Sequence, residues 1–205
     1  MISDPSAAER AYQRLKTDIL TGVLATGPLD IRELGDCLKM SVTPVREALA
    51  RLSAERLVKL APHQGYVVAN PSARRLRNLY DLSGALVDLT IQRCEASLSS
   101  SPRPGGARKS DYAQDLADLM LSMATSQPNG ELGEHLLALS DRLFPARRCE
   151  PSLFPEALEE LDLLAILWAQ RNLDELRLRF NQHHAARMER TESIASLLTE
   201  RAGDQ

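Results

Sequence analysis

The stretch that decides the fold is Ser41-Val42-Thr43-Pro44-Val45-Arg46-Glu47-Ala48-Leu49, with Leu52 just beyond it. Val45, Ala48, Leu49 and Leu52 recur at i, i+3, i+4 and i+7, which is one buried stripe of an amphipathic helix. Arg46, Glu47, Ala50 and Arg51 are left on the outer face. Thr43 is the expected cap, and Pro44 then falls in the first turn, where a missing N–H costs nothing. Upstream, Asp30 and Glu33 have the spacing of a capping box opening a short helix over 34–38, and Lys39-Met40-Ser41 makes a tight connection. Before that, Tyr12, Leu15, Ile19 and Leu20 recur at helical spacing until Gly22, and Gly27-Pro28 marks a turn. Downstream, the strand-like runs 57–60 and 66–69 flank Pro62-His63-Gln64-Gly65, a hairpin tip. Helix, helix, turn, helix, hairpin is the order of a winged helix-turn-helix.

The net charge of the 205-residue chain is -3, and only 4% of its residues are aromatic, which disfavours a base-stacking surface for single strands. The charge is unevenly spread. Residues 39–63 hold Lys39, Arg46, Arg51, Arg56 and Lys59 against Glu47 and Glu55, so five cations less two anions leave +3. Such a patch supplies phosphate contacts, while side chains near the start of the recognition helix read base edges.

The composition, 43% hydrophobic and 26% charged, is that of a soluble globular protein. No run approaches the ~18 apolar residues of a membrane span. The start, Met1-Ile2-Ser3-Asp4-Pro5, has neither the basic flank nor the apolar stretch of a signal peptide. Cys37, Cys94 and Cys149 are an odd set with no C-x-x-C pair, which fits a reducing cytoplasm. The chain divides by composition near Asn70-Pro71 into a unit over 1–70 and another over 71–205. The polar, turn-rich segment 99–110 reads as a loop inside the second. Periodicity predicts one long helix over 72–98 and further helices over 111–126, 130–143, 155–171 and 173–200, with Trp168 and Phe180 in the core. The expected class is mainly α: an N-terminal winged helix-turn-helix followed by an all-α bundle.

Arg32-Glu33-Leu34, the run 41–49, Arg51-Leu52, Glu55 and Leu57-Val58 together resemble the DNA-binding domain of the GntR family of bacterial transcriptional regulators. Ile19-Leu20-Thr21-Gly22-Val23-Leu24 and the wing Gly65-Tyr66-Val67-Val68 fit the same resemblance, which covers roughly residues 8–70. It implies a double-stranded DNA operator as partner and DNA contacts from Arg32, Ser41, Thr43, Arg46, His63 and Gly65. Two residues depart from the family pattern: Val42 stands where Arg is common, and Arg56 where Gly is common. The helical second half is similar to the FCD-like effector and dimerisation domain of the FadR-type branch. That similarity implies a homodimer whose DNA affinity responds to a small molecule.

Many members of that branch hold a divalent metal and a small carboxylate in the bundle. The resemblance implies an Asp and a His four apart on one helix, with further His on the last two. Here Asp141 is followed by Pro145 where the histidine belongs, and Glu131 with His135 is the rival alignment. Leu161 or Asp162 falls at the next position, and His183 or His184 at the last. The candidate metal set is therefore incomplete, His135, Asp162 and His183 at best, and ordinary helix residues are the preferred reading. Ser83 and Val87 replace the usual Arg and Glu of the first bundle helix. No cofactor follows with certainty.

The leading expectation is a homodimeric, sequence-specific transcriptional regulator in the cytoplasm, not an enzyme. A regulator whose bundle is only a dimerisation scaffold is the alternative. A metal-assisted hydrolase using His135, His183 and His184 is the least favoured reading. Adjacent residues point about 100° apart on a helix, and the chain has no nucleophile elbow, Gly-rich phosphate loop or H-E-x-x-H run.

Overall fold

The computed structural model describes residues 5–24, 26–68, 70–95 and 111–203. The expected loop over 99–110, the end of the expected long helix and Ala69 lie outside them. The chain divides into two compact units, Met1–Asn70 with Glu200–Gln205, and Pro71–Thr199. The described residues are mostly helical.

In the first unit, α1 (Ala7–Leu20) starts at Ser6, whose hydroxyl accepts from the Glu9 N–H at 3.1 Å. It buries Ala11, Tyr12, Leu15 and Ile19. The second helix, α2 (Ile31–Leu38), is capped as its sequence predicts: the Asp30 carboxylate accepts from the N–H groups of Arg32 at 2.7 Å and Glu33 at 3.3 Å. It stops where Lys39 turns left-handed at φ 53, so that the Met40 N–H reaches the Gly35 carbonyl at 2.9 Å. A Cβ on Gly35 would lie 2.9 Å from the Met40 oxygen, so this tight exit requires glycine.

The recognition-type helix α3 (Val42–Ala54) packs Val45, Ala48, Leu49 and Leu52 inward, the stripe its spacing predicts. Its start differs from expectation. Ser41, not Thr43, is the cap residue, it makes no side-chain cap bond, and Thr43 is the second helical residue with Pro44 third. Pro44 is as well tolerated there, because the first-turn N–H groups have no partner within the helix.

Three short strands complete the wing: β1 (Gly27–Pro28), β2 (Lys59–Ala61) and β3 (Gly65–Val68), in the order β1-β3-β2 and antiparallel. Lys59, Leu60 and Ala61 lie opposite Val67, Tyr66 and Gly65. Gly27-Pro28, read as a turn, instead pairs with Val68 and Val67 at the sheet edge, where proline forfeits no ladder bond. Leu57 and Val58, read as strand, lie in the turn that closes α3. The Leu57 N–H bonds the Leu52 carbonyl at 3.0 Å and the Arg56 N–H bonds that of Ser53 at 3.0 Å, around Arg56 at φ 63. This is the Schellman closure, which favours glycine at the left-handed position.

The second unit is a helical bundle: α4 (Ala73–Glu95), α5 (Tyr112–Thr125), α6 (Gly130–Arg147), a 3-10 turn (Glu150–Ser152), α7 (Ala157–Ala169), α8 (Leu173–Glu189) and most of α9 (Thr191–Gly203). The first of these packs on α8 and α6, and α5 packs on α6 and α7. Leu76, Ile91, Leu116, Met120, Leu136, Leu164 and Leu176 fill the centre, with Trp168 and Phe180 buried as expected. Pro145 does not interrupt α6, which runs two residues past it. Near a helix end, its missing N–H deprives only the carbonyl four residues back of a partner. The single helix expected over 173–200 breaks at Arg190, whose N–H turns to the Arg187 carbonyl at 3.1 Å while the Thr191 hydroxyl takes that of Met188 at 3.3 Å. Among the described residues, no helix is long and apolar enough to cross a membrane.

Candidate nucleic-acid interface and bundle centre

With one side of α3 buried, the other presents Thr43, Arg46, Glu47, Ala50 and Arg51, all exposed. Thr43, Arg46, Glu47 and Ala50 follow i, i+3, i+4 and i+7, so they form a single outward face. The two arginines of this helix are in different states. The Arg46 side chain makes no hydrogen bond or ion pair among the described residues. Arg51 lies with its guanidinium 3.6 Å from the centre of the Tyr12 ring and bonds Glu9 at 2.6 Å, with Glu55 at 3.8 Å. Hydrogen bonding to Glu9 raises its pKa. Tyr12 donates to Glu55 at 2.7 Å, and Lys16 bonds Glu55 at 3.2 Å. Burial and the Glu55 contact push the phenol up. This cluster joins α1 to α3 and takes Arg51 and Glu55 out of the basic patch.

Of the other sequence-predicted residues, Arg32 is exposed on the first turn of α2, and Ser41 is exposed just before α3. His63 and Gly65 lie at the hairpin tip with left-handed φ values of 63 and 71. All six are solvent-accessible. Glu47, which the sequence reading left as an outward residue without a role, is the only acidic side chain on that four-residue face of α3.

The candidate metal residues do not converge. His135 is exposed, with its Nδ1 2.8 Å from the Glu131 carbonyl of its own helix. His183 is buried, its Nδ1 3.3 Å from Glu160, while Asp162 is half-buried on α7. Among the described residues, no three His, Cys, Asp or Glu side chains are grouped to hold a metal ion.

The bundle centre holds a different polar set. Glu150, on the 3-10 turn, is fully buried and accepts from the Tyr80 hydroxyl at 2.7 Å, the Tyr112 hydroxyl at 2.6 Å and Arg187 at 3.0 Å. Arg187, also buried, reaches Glu160 at 2.6 Å and packs over the Phe154 ring. Burial alone would raise the Glu150 carboxyl, but Arg187 and the two hydroxyls outweigh it and hold it below the usual carboxylate value. Burial opposes the charge of Arg187 too, and Glu150, Tyr112 and Glu160 more than compensate, so its pKa rises. His183 is pushed down to about 3 by burial, with Arg187 adding to the effect. His184, lowered well below the ordinary value by burial and its neighbour His183, bonds the Phe180 carbonyl at 2.8 Å and Ser83 at 3.0 Å. Both rings are interior, 5.1 Å apart, yet they face different partners, as adjacency on a helix requires. Arg147 is buried as well and donates to the Ser140 hydroxyl at 2.7 Å.

The sequence reading missed Glu150, Tyr80, Tyr112 and Arg187. One signal was available: His183 and Arg187 continue the inward stripe of Leu173, Leu176 and Phe180. A polar pair on an apolar stripe marks a buried network.

Residues 7–68 match the model of bacterial regulatory proteins of the gntR family. This part of the chain is similar to that family. The chain is 37% identical over 87 residues to the HTH-type transcriptional repressor GlaR of Escherichia coli (strain K12), covering 40% of each chain. It is 32% identical over 124 residues to the HTH-type transcriptional regulator Mce2R of Mycobacterium tuberculosis (strain CDC 1551 / Oshkosh), covering 56% of this chain and 51% of that one. The chain thus spans about half the length, or less, of these curated relatives. Both are named as transcriptional regulators. Among solved structures, E. coli McbR/YncC superposes at TM-score 0.65 with 20% identity, over 96% of this chain and 99% of that one. A putative transcriptional regulator GntR from Rhodococcus sp. RHA1 superposes at 0.69 with 16% identity, over 91% and 98%. At these identities the superpositions speak for the fold alone, an N-terminal winged helix-turn-helix unit followed by a helical one.

Proposed function

We propose that the chain is a sequence-specific DNA-binding transcriptional regulator of the FadR-type branch, acting in the cytoplasm as a homodimer. In this reading Pro71–Thr199 forms the dimerisation and effector domain, and DNA affinity answers to a small molecule bound there. The observation that carries the DNA reading is Arg46, an exposed cation without a partner on the same outward face as Thr43, while its neighbour Arg51 is held by Glu9 and Tyr12. A guanidinium left free near the start of a groove-facing helix suits bidentate contact with guanine. Arg32, Ser41, His63 and Gly65 add backbone contacts around it. The experiment is selection of genomic fragments by the purified full chain at near-physiological salt. An inverted repeat with half-sites about one helical turn apart is expected. Binding that is salt-sensitive but blind to sequence would reject the reading.

The scaffold alternative is favoured by the bundle centre itself, where Glu150 already engages Arg187, the cation that would otherwise hold a carboxylate ligand. A screen of small carboxylates against the protein on its selected operator separates the two. Any compound that changes operator affinity removes the scaffold reading.

A further inference from the structure

We propose that Glu47 reads an exocyclic amino group in the major groove, cytosine N4 by preference, and so sets one base of each half-site. The inference rests on the regulator reading above and goes beyond it. Thr43, Arg46, Glu47 and Ala50 form the outward face of α3, and all four are exposed. A carboxylate there faces a polyanion. Near phosphates it is repelled, and in the groove most base-edge atoms are acceptors that give it nothing. The donors within reach of a major-groove helix are the amino groups of cytosine and adenine, and a carboxylate pairs best with cytosine N4.

A structural task for Glu47 would require a partner, and the described residues offer none. The side chain makes no hydrogen bond or ion pair among the described residues. Arg51, one turn further on, is engaged by Glu9 and Glu55 instead. Glu55, the other acidic residue of the basic segment, is tied to Tyr12 and Lys16. One acid of the segment is therefore used internally and the other is left outward beside the free Arg46. An Arg with guanine and a Glu with cytosine read opposite members of G·C pairs, so together they would favour a G·C-rich step.

The test uses the full chain, first to select its site and then to compare wild type, E47A and E47Q on every single-base variant of that site. Wild type is expected to prefer cytosine at one position per half-site by about tenfold, the order of one good base contact. E47A should bind all four pairs at that position within about twofold, with preferences elsewhere unchanged. Glutamine offers both a donor and an acceptor, so E47Q should move the preference toward adenine. An unchanged denaturation midpoint in both variants is expected of an exposed, unpartnered side chain and shows that folding is not the cause. If E47A keeps every wild-type preference, the inference fails while the regulator reading stands. If wild type itself selects no sequence, both fail.

Discussion

At the scale of the residue, two arginines one and a half turns apart on the same helix have opposite roles. Arg46→Ala is expected to lower affinity for the selected operator by roughly tenfold or more, the value of a bidentate base contact, and to leave stability unchanged. Arg51→Ala should do the reverse. It removes a cation stacked on Tyr12 and should lower the stability of the first unit by about 0.5 to 1 kcal/mol, kept small by its exposure to solvent. Operator titrations and denaturant midpoints on both variants check the pair; equal losses of affinity would contradict this assignment. The sequence placed both residues outside and could go no further, because the partner that engages Arg51 is 42 positions away on α1. Arg56 is the contrary case. Its departure from the glycine common in the family was visible in the sequence, and the structure supplies the reason glycine is favoured: the residue is left-handed at φ 63.

At the scale of the element, periodicity predicted the helices, because it is a local property. What escaped were features settled across the fold. Gly27-Pro28 reads as a turn until β3 arrives to pair with it. The residues 173–200 carry one helical pattern, and only the side-chain and backbone bonds around Arg190 and Thr191 divide it. The 3-10 turn at Glu150 lies in a proline-broken stretch that offers no period at all, yet it delivers the most buried carboxylate of the second unit. Glu150→Ala should lower the stability of that unit by about 3 to 5 kcal/mol, because Arg187 would remain buried with one anion fewer. The double replacement Glu150→Leu with Arg187→Met should be milder than the sum. Chemical denaturation of the single and double variants reads this directly, and an additive result would break the pairing argument.

At the scale of the whole molecule, the buried histidines set how the protein meets acid. His183 falls to about 3 in the fold, from an ordinary value near 6.5, so it is neutral when folded and takes up a proton on unfolding. Its full contribution is present above about pH 6.5 and is lost as pH falls toward 3. The expected slope is about 1.4 kcal/mol per pH unit, with His184 acting in the same direction. Glu150, depressed by Arg187, adds to the acid side at lower pH. His183→Gln should flatten the stability profile between pH 6 and about 4, measured by thermal midpoint across the range. An unchanged profile would mean that the ring is not neutralised by burial. The polar centre also has a consequence for how the bundle comes apart. Its members arrive from α4, α5, the 3-10 turn, α7 and α8, and losing either Glu150 or Arg187 leaves the other's charge in an apolar interior without its closest partner. A partly assembled bundle is therefore worse than none, so cleavage by a protease inside the bundle should leave no surviving half of it, only the intact bundle and small peptides.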